Sequence, residues 1–139
     1  TELRYGIIHD IAWKVFSNEP IDLSMGFVNQ IWQGDANAYL CRLFPLSNSP
    51  ATIVNLTGKE VLSIRNLAQQ IGEVLDINPL FVNSESKDAL LGDASYLFDS
   101  MGEPCVPIED IVRWVAEWIG NNGNTLGKPT KYESRNGNF

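Results

Sequence analysis

The sequence predicts an α/β (α+β) fold, a small mixed domain of about five helices and about four short strands. Three observations lead to this prediction. The 139 residues suffice for one domain. Hydrophobic residues make up 44% and charged residues 19%, a composition typical of globular chains. Segments with helical spacing of apolar side chains also alternate with short apolar or β-branched runs.

In the first third of the chain, residues 5–16 carry apolar side chains on one helical face, and Pro20 follows the end of that helix. Residues 21–23 and 27–32 are predicted to be short strands. Asp35 has the position and chemistry of an N-cap for a second helix.

The middle of the chain predicts a strand, a helix and a second strand. Residues 52–56 are apolar and β-branched, which favours a buried strand. Ser63 is a predicted N-cap for a helix through Leu75, and residues 80–82 form another short strand.

Two further helices follow. Asp93 is expected to cap a helix that ends at Met101, and Pro107 suits the first turn of the last helix. From Gly120 onward Asn, Gly and Thr dominate, so residues 120–139 are predicted to be an extended or disordered tail.

Charge excludes several partners. The net charge of -7 opposes binding to nucleic acid and to anionic membranes. No apolar run approaches the roughly 20 residues that span a bilayer, and residues 1–4 do not resemble a signal peptide. We therefore expect a cytoplasmic protein with neither a nucleic-acid nor a membrane partner.

Cysteine and histidine are too few for a zinc site. Cys41 and Cys105 lie far apart in the sequence, and His9 is the single histidine. The cysteines are predicted to be buried reduced thiols, although one disulfide stays possible. His9 sits among isoleucines and is interpreted as a packed or capping residue. No metal ligand and no catalytic residue is assigned.

Four short motifs follow one another along the chain: V-N-Q-I-W-Q-G-D-A-N-A at residues 28–38, I-V-N-L-T-G at 53–58, S-I-R-N-L-A at 63–68 and Asp93-Ala94-Ser95. In this order they resemble the C-terminal part of the extended short-chain dehydrogenases/reductases, the NAD-dependent epimerase/dehydratase family. The first resembles the family's strand and "D-v-A" helix start. The second and third resemble its "y-N-l-g" strand and "S-i-r-e-L-a" helix. The fourth is similar to "D-x-s-K". The resemblance covers about residues 4–119.

The resemblance implies that residues 1–119 are a substrate-binding-like domain without its Rossmann sheet. NAD or NADP is implied for a full-length parent, with a missing N-terminal nucleotide-binding domain as the partner. Members of the family use a glycine-rich turn and a Tyr-x-x-x-Lys pair. No two glycines here form G-x-G, and no tyrosine is followed four residues on by lysine. We therefore expect no cofactor to bind this chain alone.

By the same resemblance, Arg4 and the loop residues Ser24, Met25, Gly26 and Phe27 would border a small-molecule substrate. Trp32 and Gln33 lie at a predicted strand end, where aromatic stacking and one amide would suit a sugar-like ring. Solvent exposure of Arg4 and core packing of Trp32 are the alternatives. The stretch 25–28 contains no base, and Ser95 is followed by Tyr96. A diphosphate clamp at these positions is therefore not expected, and the substrate is expected to be smaller or less charged than a nucleotide sugar.

Two functions follow as hypotheses. The first is the C-terminal substrate-binding fragment of an NAD(P)-dependent oxidoreductase, which forms one wall of the cleft and is inactive alone. The alternative is a free-standing, non-catalytic binding or interaction module. In the first case the surface that meets the missing domain is expected to be apolar, which favours self-association.

Overall fold

The computed structural model describes residues 1–135 and contains, within them, five α-helices and four two-residue strands. The mixed fold class predicted from the sequence is thereby confirmed. The helices are α1 (Ile7–Phe16), α2 (Gln33–Leu43), α3 (Ile64–Leu75), α4 (Ser95–Met101) and α5 (Ile108–Gly120). The strands are β1 (Ile21–Asp22), β2 (Phe27–Val28), β3 (Leu62–Ser63) and β4 (Phe81–Val82), and a 3₁₀ turn covers Phe44–Leu46.

The strands form two small sheets that hold one loop. β1 pairs with β4 in parallel, with Ile21 opposite Phe81. β2 pairs with β3 in antiparallel fashion, with Phe27 opposite Ser63. The loop between β1 and β2 is therefore fixed at both ends by chain segments that are distant in sequence.

The core lies where α1, α3 and α5 pack against one another. Each helix contributes an apolar stripe, as its sequence spacing predicts. Side chains that are almost completely buried include Ile8, Ile11, Val15, Ile64, Ile71, Ile111, Val115 and Ile119. Burying a side chain of this size contributes about 1.5–3 kcal/mol, so the three-helix contact dominates the stability of the fold.

Local chemistry sets the ends of α3. Ser63 Oγ accepts a hydrogen bond from the Asn66 amide at 3.3 Å, which confirms the predicted N-cap. The helix ends at Asp76, which has a left-handed backbone (φ 56°). In the last turn a Cβ on Gly72 would lie 2.4 Å from the Ile77 carbonyl oxygen, so only glycine permits this tight return of the chain.

The segment after α5 runs back along α1. The backbone amide and hydroxyl of Thr130 both donate to Asp10 Oδ2 at 2.6 Å. Tyr132 is 6% exposed within the core, and Glu133 pairs with Lys14. The division of the chain at residue 119 stays a prediction, and the last part of the predicted tail, 136–139, lies outside the described residues.

Several local predictions were wrong. Residues 52–56 form no strand, and Ile53 is 90% exposed, because no neighbouring segment offers them a partner for pairing. Cys41 and Cys105 are free and exposed, not buried. Asp35 does not cap α2. It lies within the first turn, where Oδ2 accepts a hydrogen bond from the Val106 amide at 2.9 Å.

Candidate functional site

The loop of residues 24–27 is held tightly by its neighbours. Asp22 Oδ1 accepts a hydrogen bond from the Ser24 amide at 2.8 Å, which turns the chain after β1. Met25 and Gly26 are buried. A Cβ on Gly26 would lie 2.7 Å from Glu85 Cγ, and the Gly26 carbonyl accepts a hydrogen bond from the Ile64 amide at 2.9 Å. The loop is thus preformed, as a binding site requires.

Arg135 reaches this loop from a distant part of the sequence, and Arg65 pairs with Glu85, which lies against Gly26. Arg135 Nη1 donates to the Ser24 carbonyl at 2.9 Å and lies 3.8 Å from Met25 Sδ. Arg65 stacks over the Phe81 ring, 4.7 Å from its centroid, next to Glu85. The sequence did not reveal either arginine as a neighbour of the loop, since the resemblance places bases within residues 25–28 and directly after Ser95.

Each of these arginines already has a carboxylate partner. Arg65 Nε donates to Glu85 Oε1 at 2.7 Å, and this hydrogen bond lowers the pKa of the Glu85 carboxyl. Arg135 Nη2 lies 2.8 Å from Asp88 Oδ2. A hydrogen bond from Ser86 and the charge of Arg135 lower the pKa of the Asp88 carboxyl. An anionic ligand would have to displace these carboxylates, so the loop carries no open cationic clamp.

The other predicted residues lie together beside the N-terminal segment. The Gln33 amide donates to the Thr1 carbonyl at 2.9 Å. Trp32 packs edge-on against Trp114, with ring centroids 5.5 Å apart, and is half-buried at a shallow groove of about 330 Å³. Arg4 is exposed and pairs with Glu2 at 3.2 Å. The predicted site residues therefore occupy two places, the 24–27 loop and the N-terminal segment, where Trp32, but not Arg4 or Gln33, lines the groove (the N-terminal groove).

The described residues do not fit a dinucleotide. Such a group is held by a glycine-rich turn between a parallel strand and a helix. Here β1 leads through residues 24–27 into another strand, and the other parallel strand, β4, reaches α4 through residues 83–94, which contain a single glycine, Gly92. Gly6 precedes α1, but a Cβ there would lie 2.8 Å from Thr1 Cα, so the chain itself fills that space.

Residues 1–135 contain neither a cluster of metal ligands nor a helix that could cross a membrane. Among the described residues, no group of three or more His, Cys, Asp or Glu side chains could hold a metal ion. No helix in this part of the chain has the length and apolar character needed to cross a bilayer.

Comparisons with known proteins identify the fold. No family model matches the sequence, and no curated protein matches it. Solved structures do match. UDP-glucuronic acid 4-epimerase from Bacillus cereus in complex with NAD superposes with a TM-score of 0.64 at 15% identity, covering 82% of this chain and 38% of that enzyme. UDP-glucose 4-epimerase from Thermotoga maritima superposes with a TM-score of 0.65 at 11% identity, covering 84% of this chain and 40% of that enzyme.

A dehydratase has the same fold. dTDP-glucose 4,6-dehydratase from Bacillus anthracis in complex with NAD gives a TM-score of 0.65 at 12% identity and covers 84% of this chain and 39% of that enzyme. The chain is thus a mixed α/β domain of the kind that forms the C-terminal portion of a larger enzyme. More particularly, it has the fold of that portion in the extended short-chain dehydrogenase/reductase epimerases and dehydratases, which confirms the predicted resemblance at the level of fold. It spans about two fifths of the length of these enzymes.

Proposed function

We propose that this chain is the C-terminal substrate-binding part of an NAD(P)-dependent epimerase/dehydratase-like oxidoreductase, that it forms one wall of the substrate cleft and that it is inactive alone. One observation carries the proposal. The fold covers 82–84% of this chain yet only 38–40% of the enzymes that share it. The described residues do not fit a dinucleotide, which supports the assignment of cofactor binding to another domain.

In this proposal the chemistry belongs to a partner domain. An N-terminal nucleotide-binding domain would hold NAD or NADP, and no step of the reaction is assigned to residues of this chain. The role of this chain is to orient a small-molecule substrate and to keep water out of the cleft, which lowers the entropic part of the barrier. The parent is proposed to act in the cytoplasm.

The proposed substrate contacts are the 24–27 loop, with Ser24, Met25, Gly26 and Phe27, together with Trp32 at the N-terminal groove and Arg4 and Gln33 beside it. A half-buried indole beside an exposed amide suits a sugar-like ring. The two arginines near the loop are neutralised by Glu85 and Asp88. This pairing favours a substrate smaller or less charged than a nucleotide sugar.

The reading frame upstream of Thr1 tests the proposal. We expect it to encode a glycine-rich strand-turn-helix and a Tyr-x-x-x-Lys pair. In calorimetry, the 139-residue chain is expected to bind neither NAD⁺ nor NADP⁺ at about 1 mM. Tight cofactor binding or turnover by this chain would contradict the proposal. A frame that begins at Thr1, without turnover, would favour the free-standing binding module instead.

The proposed substrate contacts are tested in the longer protein that the upstream reading frame encodes. Ser24→Ala and Gln33→Ala are expected to raise KM more than they lower kcat, since both residues are proposed to bind substrate without taking part in chemistry. The exposed Ser100 on α4 offers a matched control, Ser100→Ala. Unchanged KM in both loop and groove variants would argue against these contacts.

A further inference from the structure

A pocket of about 570 Å³ lies between α1 and the segment 125–134 that runs back along it. Helix α1 contributes His9, Asp10, Trp13 and Lys14 to its lining. Neither the 24–27 loop nor the N-terminal groove contributes a residue. The volume lies within the range of about 300–1,000 Å³ that is typical of small-molecule sites.

His9 is the unusual group in this lining. The residue is 5% exposed, and neither ring nitrogen has a hydrogen-bond partner among the described residues. Nδ1 faces Asp10 Oδ1 at 3.5 Å, the long limit of a hydrogen bond. A buried polar group without a hydrogen-bond partner is unfavourable, so this imidazole has hydrogen-bonding capacity that the described residues leave unused. A neutral imidazole offers one donor and one acceptor, which a ligand hydroxyl satisfies.

The remaining lining divides into occupied and open groups. Asp10 already accepts two hydrogen bonds from Thr130, and Lys14 is paired with Glu133. By contrast, Trp13 is 40% exposed. Lys128 and Lys131 are exposed, and neither is in an ion pair within residues 1–135. The open groups are therefore an indole, two ammonium groups and the carboxylate of Glu19, while the imidazole of His9 is unpartnered but buried.

We propose that this pocket binds a small hydroxylated ring that carries a negative charge. The ring would stack on Trp13, the hydroxyl would bond to His9, and the anionic group would face Lys128 and Lys131. This site is independent of the substrate contacts proposed above, because it shares no residue with them.

The experiment uses 4-hydroxybenzoate as the probe. His9 is the single histidine of the chain, so its ring resonances are unambiguous in an NMR titration. We expect these resonances to shift saturably with a Kd near or below about 1 mM. Benzoate, which lacks the hydroxyl, and 4-hydroxybenzyl alcohol, which lacks the charge, are each expected to bind more weakly.

Variants separate this site from adventitious binding. Trp13→Ala is expected to weaken the probe by about fivefold or more, and Lys128→Ala by about twofold or more. Tyr96→Ala and Lys87→Ala remove exposed side chains of similar chemistry elsewhere and are expected to leave the affinity unchanged. Because Lys128 is exposed, its variant reports on binding even if Trp13→Ala lowers the stability.

Three outcomes would overturn the proposal. The His9 resonances could stay in place up to about 10 mM probe. The shift of the His9 resonances could be the same in the Trp13 and Lys128 variants as in the unsubstituted chain. The Tyr96 and Lys87 controls could weaken binding as much as the pocket variants do. None of these results would bear on the proposed substrate wall.

Discussion

Asp10 is the residue through which the C-terminal segment is attached to the first helix. Its Oδ2 accepts both hydrogen bonds from Thr130, and its Oδ1 faces the imidazole of His9. Burial by itself raises the pKa of the Asp10 carboxyl, but the interactions with His9 and Thr130 outweigh burial, so the pKa lies below its ordinary value of 3.8. The folded chain therefore favours the charged carboxylate.

This pKa makes the stability depend on pH. A lowered carboxyl pKa contributes stability that is complete above pH 3.8 and is lost as the pH falls through the folded-state value. We expect Asp10→Asn to destabilise the chain at pH 7 by about 1–3 kcal/mol, because hydrogen bonds to a charged acceptor are removed. Urea unfolding followed by tryptophan fluorescence measures the effect.

Below pH 3.8, the free energy of unfolding of Asp10→Asn is also expected to fall less steeply with pH than that of the unsubstituted chain. Asp99→Asn is the matched control, since Asp99 is an exposed carboxylate on α4. Equal slopes for the parent chain and Asp10→Asn would show that this carboxyl does not link folding to pH.

Single-residue contacts also explain why the sequence did not reveal Arg135 at the candidate site. Ser24, Met25, Gly26 and Phe27 are adjacent in sequence, so a motif can identify them as a loop. Arg135 reaches Met25 across 110 positions of the chain. The position of Arg135 beside the loop depends on the path of the segment after α5, which no local sequence pattern predicts. The same holds for the pocket beside His9, whose second wall is that segment.

At the scale of elements, α3 offers a direct test of capping. Ser63→Ala removes the hydroxyl that accepts from the Asn66 amide and is expected to cost about 0.5–2 kcal/mol of stability. Ser63→Asp is expected to restore most of that loss, since a carboxylate caps the helix and complements its dipole. Thermal unfolding of the three proteins measures both changes. A loss that Asp does not restore would assign the effect of Ser63 to its position in β3.

Helices were easier to predict than strands, for a physical reason. The apolar stripes of α1, α3 and α5 are properties of contiguous sequence, and the structure buries them as predicted. A strand needs a partner as well as β-branched residues. Residues 52–56 have the composition without the partner, whereas Phe81–Val82 is a strand only because β1 lies beside it.

At the scale of the whole molecule, several large apolar side chains are unusually exposed. Phe44 is 75% exposed, Ile53 90% and Leu90 65%. A hydrogen bond from Asn55 Nδ2 to the Asp93 carbonyl at 2.8 Å joins the segments that carry Ile53 and Leu90. We propose that these side chains form an apolar face that serves as an interaction surface. In the proposed parent enzyme it would meet the nucleotide-binding domain.

In the isolated chain we expect this apolar face to cause weak self-association that depends on concentration. The double variant Phe44→Ser/Ile53→Ser is expected to weaken association by about tenfold or more, because each side chain would bury its apolar area against a second copy. Sedimentation velocity over a range of concentrations measures the change. Val74→Ser, at a 45% exposed position on α3, is the control. Equal weakening by Val74→Ser, or a strict monomer at all concentrations, would mean that Phe44 in the 3₁₀ turn and Ile53 do not form a contact surface.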